Sequence, residues 1–268
     1  MTQPTPATFP ISRQRTAARR LAAALGLTCC LLLAACSSPP QLTATAHTVA
    51  DETSPWAAAT RLDPAGGPSY WQHKTFAGRE PTEYKPVWHA GRPALRAHSH
   101  GGNSMLRSDL RMAPPALGRL SFSWFTQSLL TDAIAGVRGQ DDASMRVVLS
   151  FDGNRDRLSA RDHLLSELSM LVAGEPLPYA TLMYIWDPKL PVGTIVSNPH
   201  TDRIRMMVIE SGADRLGQWV DHVRDVRQDY RMAFGEAPGP LIGVGLVTDT
   251  NKTGETVEAW YGPLRWLP

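Results

Sequence analysis

Two antiparallel β-sheets packed face to face are the fold this sequence predicts, and three observations predict it. Short runs rich in branched and aromatic residues recur along the chain with turn residues between them. Several of these runs alternate with a period of two, so one set of side chains points at a core and the other away from it. Only two segments carry helical spacing, and they do not alternate with strands as a parallel βαβ sheet requires. The sandwich is expected over residues 66–268, behind a leader at 1–35 and a tether at 36–65.

The leader comes first. Arg13, Arg15, Arg19 and Arg20 precede an apolar run, Leu21 to Ala35, with no acidic residue before it. The run is 15 residues long, short of the ~20 needed to span a bilayer. It ends in Leu33-Ala34-Ala35-Cys36, followed by Ser37, Ser38, Pro39 and Pro40. That pattern resembles the lipobox of bacterial lipoproteins. The resemblance implies lipidation at Cys36 and a bacterial cell-envelope location, anchored by lipid, with Ser37 favouring an outer membrane facing the periplasm. An ordinary cleaved signal or a short membrane anchor remain the alternatives. Removal of the leader takes Cys29 and Cys30 with it, so the folded part would hold no free thiol or disulfide. The 27 basic and 25 acidic residues become 23 and 25 once the four leader arginines are gone. No basic block survives to favour a nucleic-acid partner. From Ser37 to about Arg61 the chain is rich in Ser, Thr, Pro and Ala and reads as a tether, with a short helix available at Trp56–Arg61.

Strand-like runs follow at 69–76, 82–88, 93–99, 104–110, 118–128, 144–151, 179–186, 203–211, 240–249 and 257–266. In the sixth, Met145, Val147, Leu149 and Phe151 share a face. In the seventh, Leu182, Tyr184 and Trp186 share one face, and Thr181, Met183 and Ile185 the other. The first helix is expected within 159–174, where Ser159 and Asp162 form a capping box and Gly174 stops it. The second is expected over 221–235, capped by Asp221 and closed by Gly235, with Val223, Val226, Tyr230 and Phe234 as its stripe.

The runs QDDASMRVVLSFD, LMYIWD, RIRMMVIESG and GQWVDHVRDVRQDYRMAFGEAPGPLIGVGLVTDTNKTGETVEAWYGPLRW, in this order, resemble the bacterial family called domain of unknown function 3047. The likeness covers roughly Trp71 to Leu267. It implies a jelly-roll-like β-sandwich similar to galactose-binding and lectin-like domains, a class that often binds glycans and in a few cases hydrolyses them. Two departures stand out. Asn251 and Lys252 replace the family's Asp-Asn within Thr248–Gly254, and Asp225 stands where the family has Asn.

Candidate site residues come from three loops. Asp249, Asn251 and Thr253 alternate before Gly254, as in the first half of an EF-hand. The twelfth position from Asp249 is Trp260 rather than Glu, which rejects an EF-hand. A calcium ion held otherwise stays open, against an Asx-turn closing a hairpin. Asp141 and Asp142 precede the strand carrying Arg146, and neighbours on an extended chain point to opposite faces, so one of them is expected to meet Arg146 or the Asp249 loop. Asp142 and Asp249 could serve as acid and base in glycoside hydrolysis, against a structural ion pair. Trp186 ends its strand before Asp187-Pro188 and is the aromatic expected to be exposed for stacking on a sugar. His98 and His100 share a strand face but show no third metal ligand. No nucleophile elbow, zincin motif or P-loop is present. The reading is a non-catalytic envelope module that binds glycan or another envelope polymer, with a polysaccharide hydrolase or lyase and a structural assembly protein as alternatives. No cofactor is expected, and membrane contact is through lipid alone.

Overall fold

A computed structural model describes residues 53–63 and 69–267, all within one compact unit, 44–268. The leader, Cys36 and the tether before residue 53, with residues 64–68, lie outside the described residues. In chain order the elements are α1 (Pro55–Ala59), β1 (Gln72–Thr75), β2 (Glu83–His89), β3 (Arg92–His100), β4 (Ser104–Met112), β5 (Arg119–Thr126), β6 (Ala143–Phe151), α2 (Ala160–Ala173), β7 (Ala180–Asp187), β8 (Ile195–Asn198), β9 (Thr201–Ser211), β10 (Val220–Asp225), α3 (Val226–Phe234), β11 (Leu241–Asp249), β12 (Thr256–Tyr261) and β13 (Arg265–Leu267).

The strands form two sheets, as the alternation predicts. One runs β1-β4-β11-β6-β7-β9-β8; the other runs β10-β5-β12-β3-β2, with β13 also on β5. The chain crosses between them repeatedly, β3 to β4, β4 to β5, β5 to β6 and again from β9 through to β12, in the jelly-roll-like manner. The pairs are antiparallel except β7 with β9. Connectivity explains the exception: β8 runs back between them and hairpins with β9, so β9 must regain the direction of β7.

The core lies between the sheets. Met145, Val147, Leu149 and Phe151 of β6 and Leu182, Tyr184 and Trp186 of β7 meet Leu120, Phe122 and Trp124 of β5 and Tyr261 of β12 there, all buried. Burying side chains of this size contributes roughly 1.5–3 kcal/mol each relative to exposure. A smaller aromatic cluster covers the outside of the second sheet, where the His89 ring stacks on Trp260 at 4.0 Å and meets Phe125 edge-on at 4.4 Å.

Three expectations are corrected. Residues 53–63 are not tether: Trp56 is 0% exposed and packs 5.2 Å from Trp71, and Leu62 is 1% exposed. Ser54 caps α1 by accepting from the Ala57 N–H, so the domain's chain begins before residue 66. The second helix is only its later half. Asp225, not Asp221, accepts from the Gln228 N–H and caps it, while Val220–Asp225 is a strand on the edge of β5. Val220 is buried in the core, and the inward residues after it are polar: His222 lies against Trp124, and Arg224 forms a two-pronged pair with Asp229 beneath Tyr184. Val223, counted in the helical stripe, is 52% exposed. Third, the Asp249 turn closes no hairpin, because β11 and β12 lie in different sheets; it carries the chain across the end of the sandwich.

Candidate functional site

The structure brings the predicted residues together at one end of the first sheet. Asp249 ends β11 and is in register with Ala143, which begins β6. The Ala143 N–H donates to Asp249 Oδ1 at 3.0 Å, and Arg146 Nη2 stands 3.4 Å from the same oxygen. The Arg146 guanidinium also donates to the Asp141 carbonyl, so residue 141 contributes its backbone. Asp142 turns inward, 3% exposed. Its Oδ2 accepts from the backbone N–H groups of Lys252 and Thr253 at 2.8 and 2.7 Å. Asn251 Oδ1 accepts from Asn103 at 3.0 Å, and Thr253 Oγ1 accepts from the Glu255 N–H at 3.4 Å. Tyr261 links the sheets: its hydroxyl accepts from the Arg146 N–H and donates to the Val247 carbonyl.

These bonds define a knot that ties the 249–255 crossing loop to the start of β6. Asp249 is held at a raised pKa, about 6, because burial disfavours its charge; Arg146 opposes that and Asp142 reinforces it. The adjoining hollow is about 10 Å³, lined by Asp142, Arg146, Trp186 and Asp187, which is room for about one water and none for a sugar ring. Donors face Asp249 Oδ1 and Asp142 Oδ2, Asp142 Oδ1 has no hydrogen-bond partner, and a guanidinium beside Asp249 supplies the positive charge that a calcium ion would otherwise bring. Among the described residues no group of three His, Cys, Asp or Glu could hold a metal ion. His98 lies 3.4 Å from Glu258 and His100 bonds Thr256.

Trp186 is not the exposed platform the sequence suggests. It is 1% exposed, with its Nε1 donating to the Gly212 carbonyl at 3.0 Å and its ring 6.1 Å from Trp124. The alternation that groups it with Leu182 and Tyr184 places it in the core, and that outweighs its position at the strand end. Asp187, the strand-ending residue, spends its Oδ1 on the Lys189 and Leu190 N–H groups.

An open site lies elsewhere. β1 pairs β4 only from Ser104 to Arg107, while β4 continues to Met112. Just before β1 the chain leaves the edge of β4, because Trp71 turns inward to join Trp56 and Leu62 in the core. Tyr70, its neighbour, therefore points outward and is 58% exposed. Between this segment and the rest of β4 runs a groove of about 430 Å³. Leu62, Leu110 and Met112 line its apolar part; Asp63, Ser69, Asp109 and Arg111 supply polar groups; Tyr70 forms one wall. Arg107, on the outer face of β4 with them, pairs with Asp109 at 2.8 Å and with Glu175 at 2.6 Å. The groove sits at the Met112–Leu241 end of the first sheet and the knot at the Asp249–Ala143 end. Sequence reasoning missed the groove. The signals were Arg107, Asp109 and Arg111 alternating on one strand face, and Tyr70-Trp71, adjacent aromatics that an extended chain must send opposite ways.

The molecule is thus a two-sheet β-sandwich with a lateral groove. The model of a family described as "Protein of unknown function (DUF3047)" matches residues 69–265. The chain belongs to that family. No curated protein matches it. Among solved structures it is similar to the xyloglucanase domain of NopAA, a type three effector from Sinorhizobium fredii in complex with cellobiose. Identity is 7%, over 74% of this chain and 92% of that one, with a TM-score of 0.39. At that score the likeness carries no argument.

Proposed function

We propose that this chain is a lipid-anchored cell-envelope protein whose sandwich binds glycan or another envelope polymer in the β4 groove without cleaving it. The groove carries the reading. Its volume, about 430 Å³, falls within the ~300–1,000 Å³ of small-molecule sites. An exposed tyrosine offers a ring face to the C–H face of a sugar. Asp109 and Arg111 beside it supply acceptors and donors for hydroxyls. The enclosed Asp142–Asp249 pair lacks the space an acid–base pair needs around a glycosidic bond, which favours binding over hydrolysis. The anchoring part rests on Leu33–Cys36 and would follow from loss of fatty-acid labelling in Cys36→Ser.

The test is affinity electrophoresis of the protein through gels containing soluble polysaccharides, with sugar release measured in parallel. Retardation by at least one polymer, weakened about tenfold in Tyr70→Ala at unchanged melting temperature, is expected; tenfold corresponds to about 1.4 kcal/mol. Retardation indifferent to Tyr70 would remove the groove from the reading, and released sugar would make the protein an enzyme. A second reading rests on the edge of β4. Among the described residues no strand pairs Ser108–Met112 on the β1 side, and an extended segment of an assembly partner could add there. A strand-adding peptide would tolerate Tyr70→Ala and lose binding to Leu110→Pro.

A further inference from the structure

The free stretch of β4 divides the groove into two unlike walls. Strand alternation sends Leu110 and Met112 to the inner face, where Leu110 packs against the core and Met112 belongs to it. The same alternation sends Asp109 and Arg111 to the outer face. Asp109 is held in place there: Arg107 Nε stands 2.8 Å from its Oδ1, and Arg107 Nη2 donates to its Oδ2 at 3.4 Å. A carboxylate offers about four lone-pair sites, so Asp109 still accepts. Between the walls lies the edge of the strand itself. Among the described residues, Ser108–Met112 has no strand partner on the β1 side. Peptide groups that point that way are an open row of donors and acceptors.

We infer that the groove selects a glycan of N-acetylated amino sugars, with an acetamido group seated on the β4 edge; this rests on the groove being the binding site. An acetamido group is a secondary amide, planar like a peptide unit, with one N–H donor and one C=O acceptor. It therefore pairs with a strand edge as another peptide group does. Its methyl group meets the apolar wall of Leu110 and Met112, the ring lies on Tyr70, and the hydroxyls turn to Asp109 and Arg111. A plain hexose uses Tyr70 and the outer wall but leaves the apolar wall bare and brings no planar donor–acceptor pair. A free amine brings a charge, which Asp109 already finds in Arg107, and nothing for the apolar wall. An added peptide strand fits less well. Only five residues of β4, Ser108–Met112, lie beyond the pairing with β1. Peptide groups alternate in direction along a strand, so about half of these face outward, enough for single amides and little for a ladder.

The full chain, purified in detergent, is titrated calorimetrically with three β-1,4-linked hexamers that differ only at carbon 2: chitohexaose with acetamido, cellohexaose with hydroxyl, and de-N-acetylated chitohexaose with ammonium. Chitohexaose should bind about tenfold more tightly than either of the others. Tyr70→Ala should weaken chitohexaose and cellohexaose together and keep the preference. Leu110→Asn, at unchanged melting temperature, should shrink it. Equal affinities for chitohexaose and cellohexaose, both sensitive to Tyr70→Ala, overturn this inference and leave the groove a glycan site. So does retardation through Tyr70 by an amide-free polymer while chitohexaose fails to bind. A preference untouched by Leu110→Asn in the folded variant places the selection elsewhere and overturns it too. Tightest binding by the ammonium form replaces amide recognition with charge. Competition by N-acetyl-tetra-alanine amide as strong as that by chitohexaose hands the edge to a peptide. Neither hexamer binding nor retardation by any polymer removes the groove reading itself and this inference with it.

Discussion

The two ends of the first sheet hold similar side chains in opposite circumstances. At the Asp249 end, carboxylates, a guanidinium and hydroxyls are buried and bond mainly to one another and to backbone, with Asp142 Oδ1 and Arg146 Nε left without a hydrogen-bond partner and space for about one water beside them. At the Met112 end, carboxylates, a guanidinium and an aromatic ring line an open groove. The difference teaches that residue type alone does not mark a binding site in this sandwich. Polar groups that converge here are mostly taken up in holding a crossing loop, while those beside a short edge strand, with Asp109 paired to Arg107 and Arg111 to Asp152, line an open groove that a ligand can reach. Substitutions at the first end should therefore cost stability and spare binding, and those at the second the reverse.

The largest effect tests where that division runs. Trp56 belongs to the core, 0% exposed and packed against Trp71, the residue whose inward turn opens the groove. Trp56→Ala should cost about 4–5 kcal/mol, read from denaturant unfolding. A loss under ~1 kcal/mol would mean that α1 is not part of the folded unit. Next comes Asp142→Ala, which strands the Lys252 and Thr253 N–H groups inside the crossing loop and leaves Arg146 with one fewer charge nearby. The expected cost is about 3–4 kcal/mol, with polymer retardation unchanged in the folded fraction. Stability intact and retardation lost would reverse the comparison and make the knot the site.

Much of this layout is legible in the sequence, and the failures have physical causes. The alternation in β6 and β7 names the core face correctly, and the same pattern places Trp186 inside. The convergence of residues 142 and 249 is also anticipated, since neighbouring strand ends of one sheet bring their loops together. The groove is not legible, because it arises from a strand that is too short, and the cause is Trp71 turning into the core just before β1. Nor is β10: its inward side chains are Val220, His222 and Arg224 and its outward ones Asp221, Val223 and Asp225, so over the stretch from His222 to Arg224 hydrophobicity points the wrong way. Only the partners Trp124, Tyr184 and Asp229, distant in sequence, make that orientation favourable.

A smaller effect distinguishes a buried charge from a merely buried carboxyl. Asp249 has its pKa raised to about 6 in the folded state, against ~3.9 unfolded. The folded protein then binds the proton more tightly, so this residue's contribution worsens as pH rises from about 4 to about 6, by about 2–3 kcal/mol in all. His222 runs the other way: burial lowers it to about 4, and its neutral folded form gains stability as pH rises towards ~6.5. The two slopes largely cancel in the wild type, so only a difference isolates Asp249. Asp249→Asn keeps an acceptor for the Ala143 N–H and removes the titration. Its stability relative to wild type should rise between pH 4 and pH 7; a difference that stays flat across that range would mean the carboxylate keeps an ordinary pKa.

The smallest stability effect belongs to Arg111, on the groove wall. Its guanidinium reaches Asp152 at 3.3 Å with 68% of the side chain exposed, and exposed pairs of this kind contribute about 0–1 kcal/mol. Arg111→Ala should therefore leave the unfolding midpoint within the range of ordinary surface changes, about 0.5 kcal/mol. Retardation by a polymer should still weaken, more for an acidic polysaccharide than a neutral one, because the lost group is both a hydrogen-bond donor and a positive charge. Added salt should shrink the gap between the two polymers in the wild type and leave it unchanged in the variant. If Arg111→Ala instead unfolds the protein and spares retardation, Arg111 is a strut like Arg146, and the two ends of the sheet are alike after all.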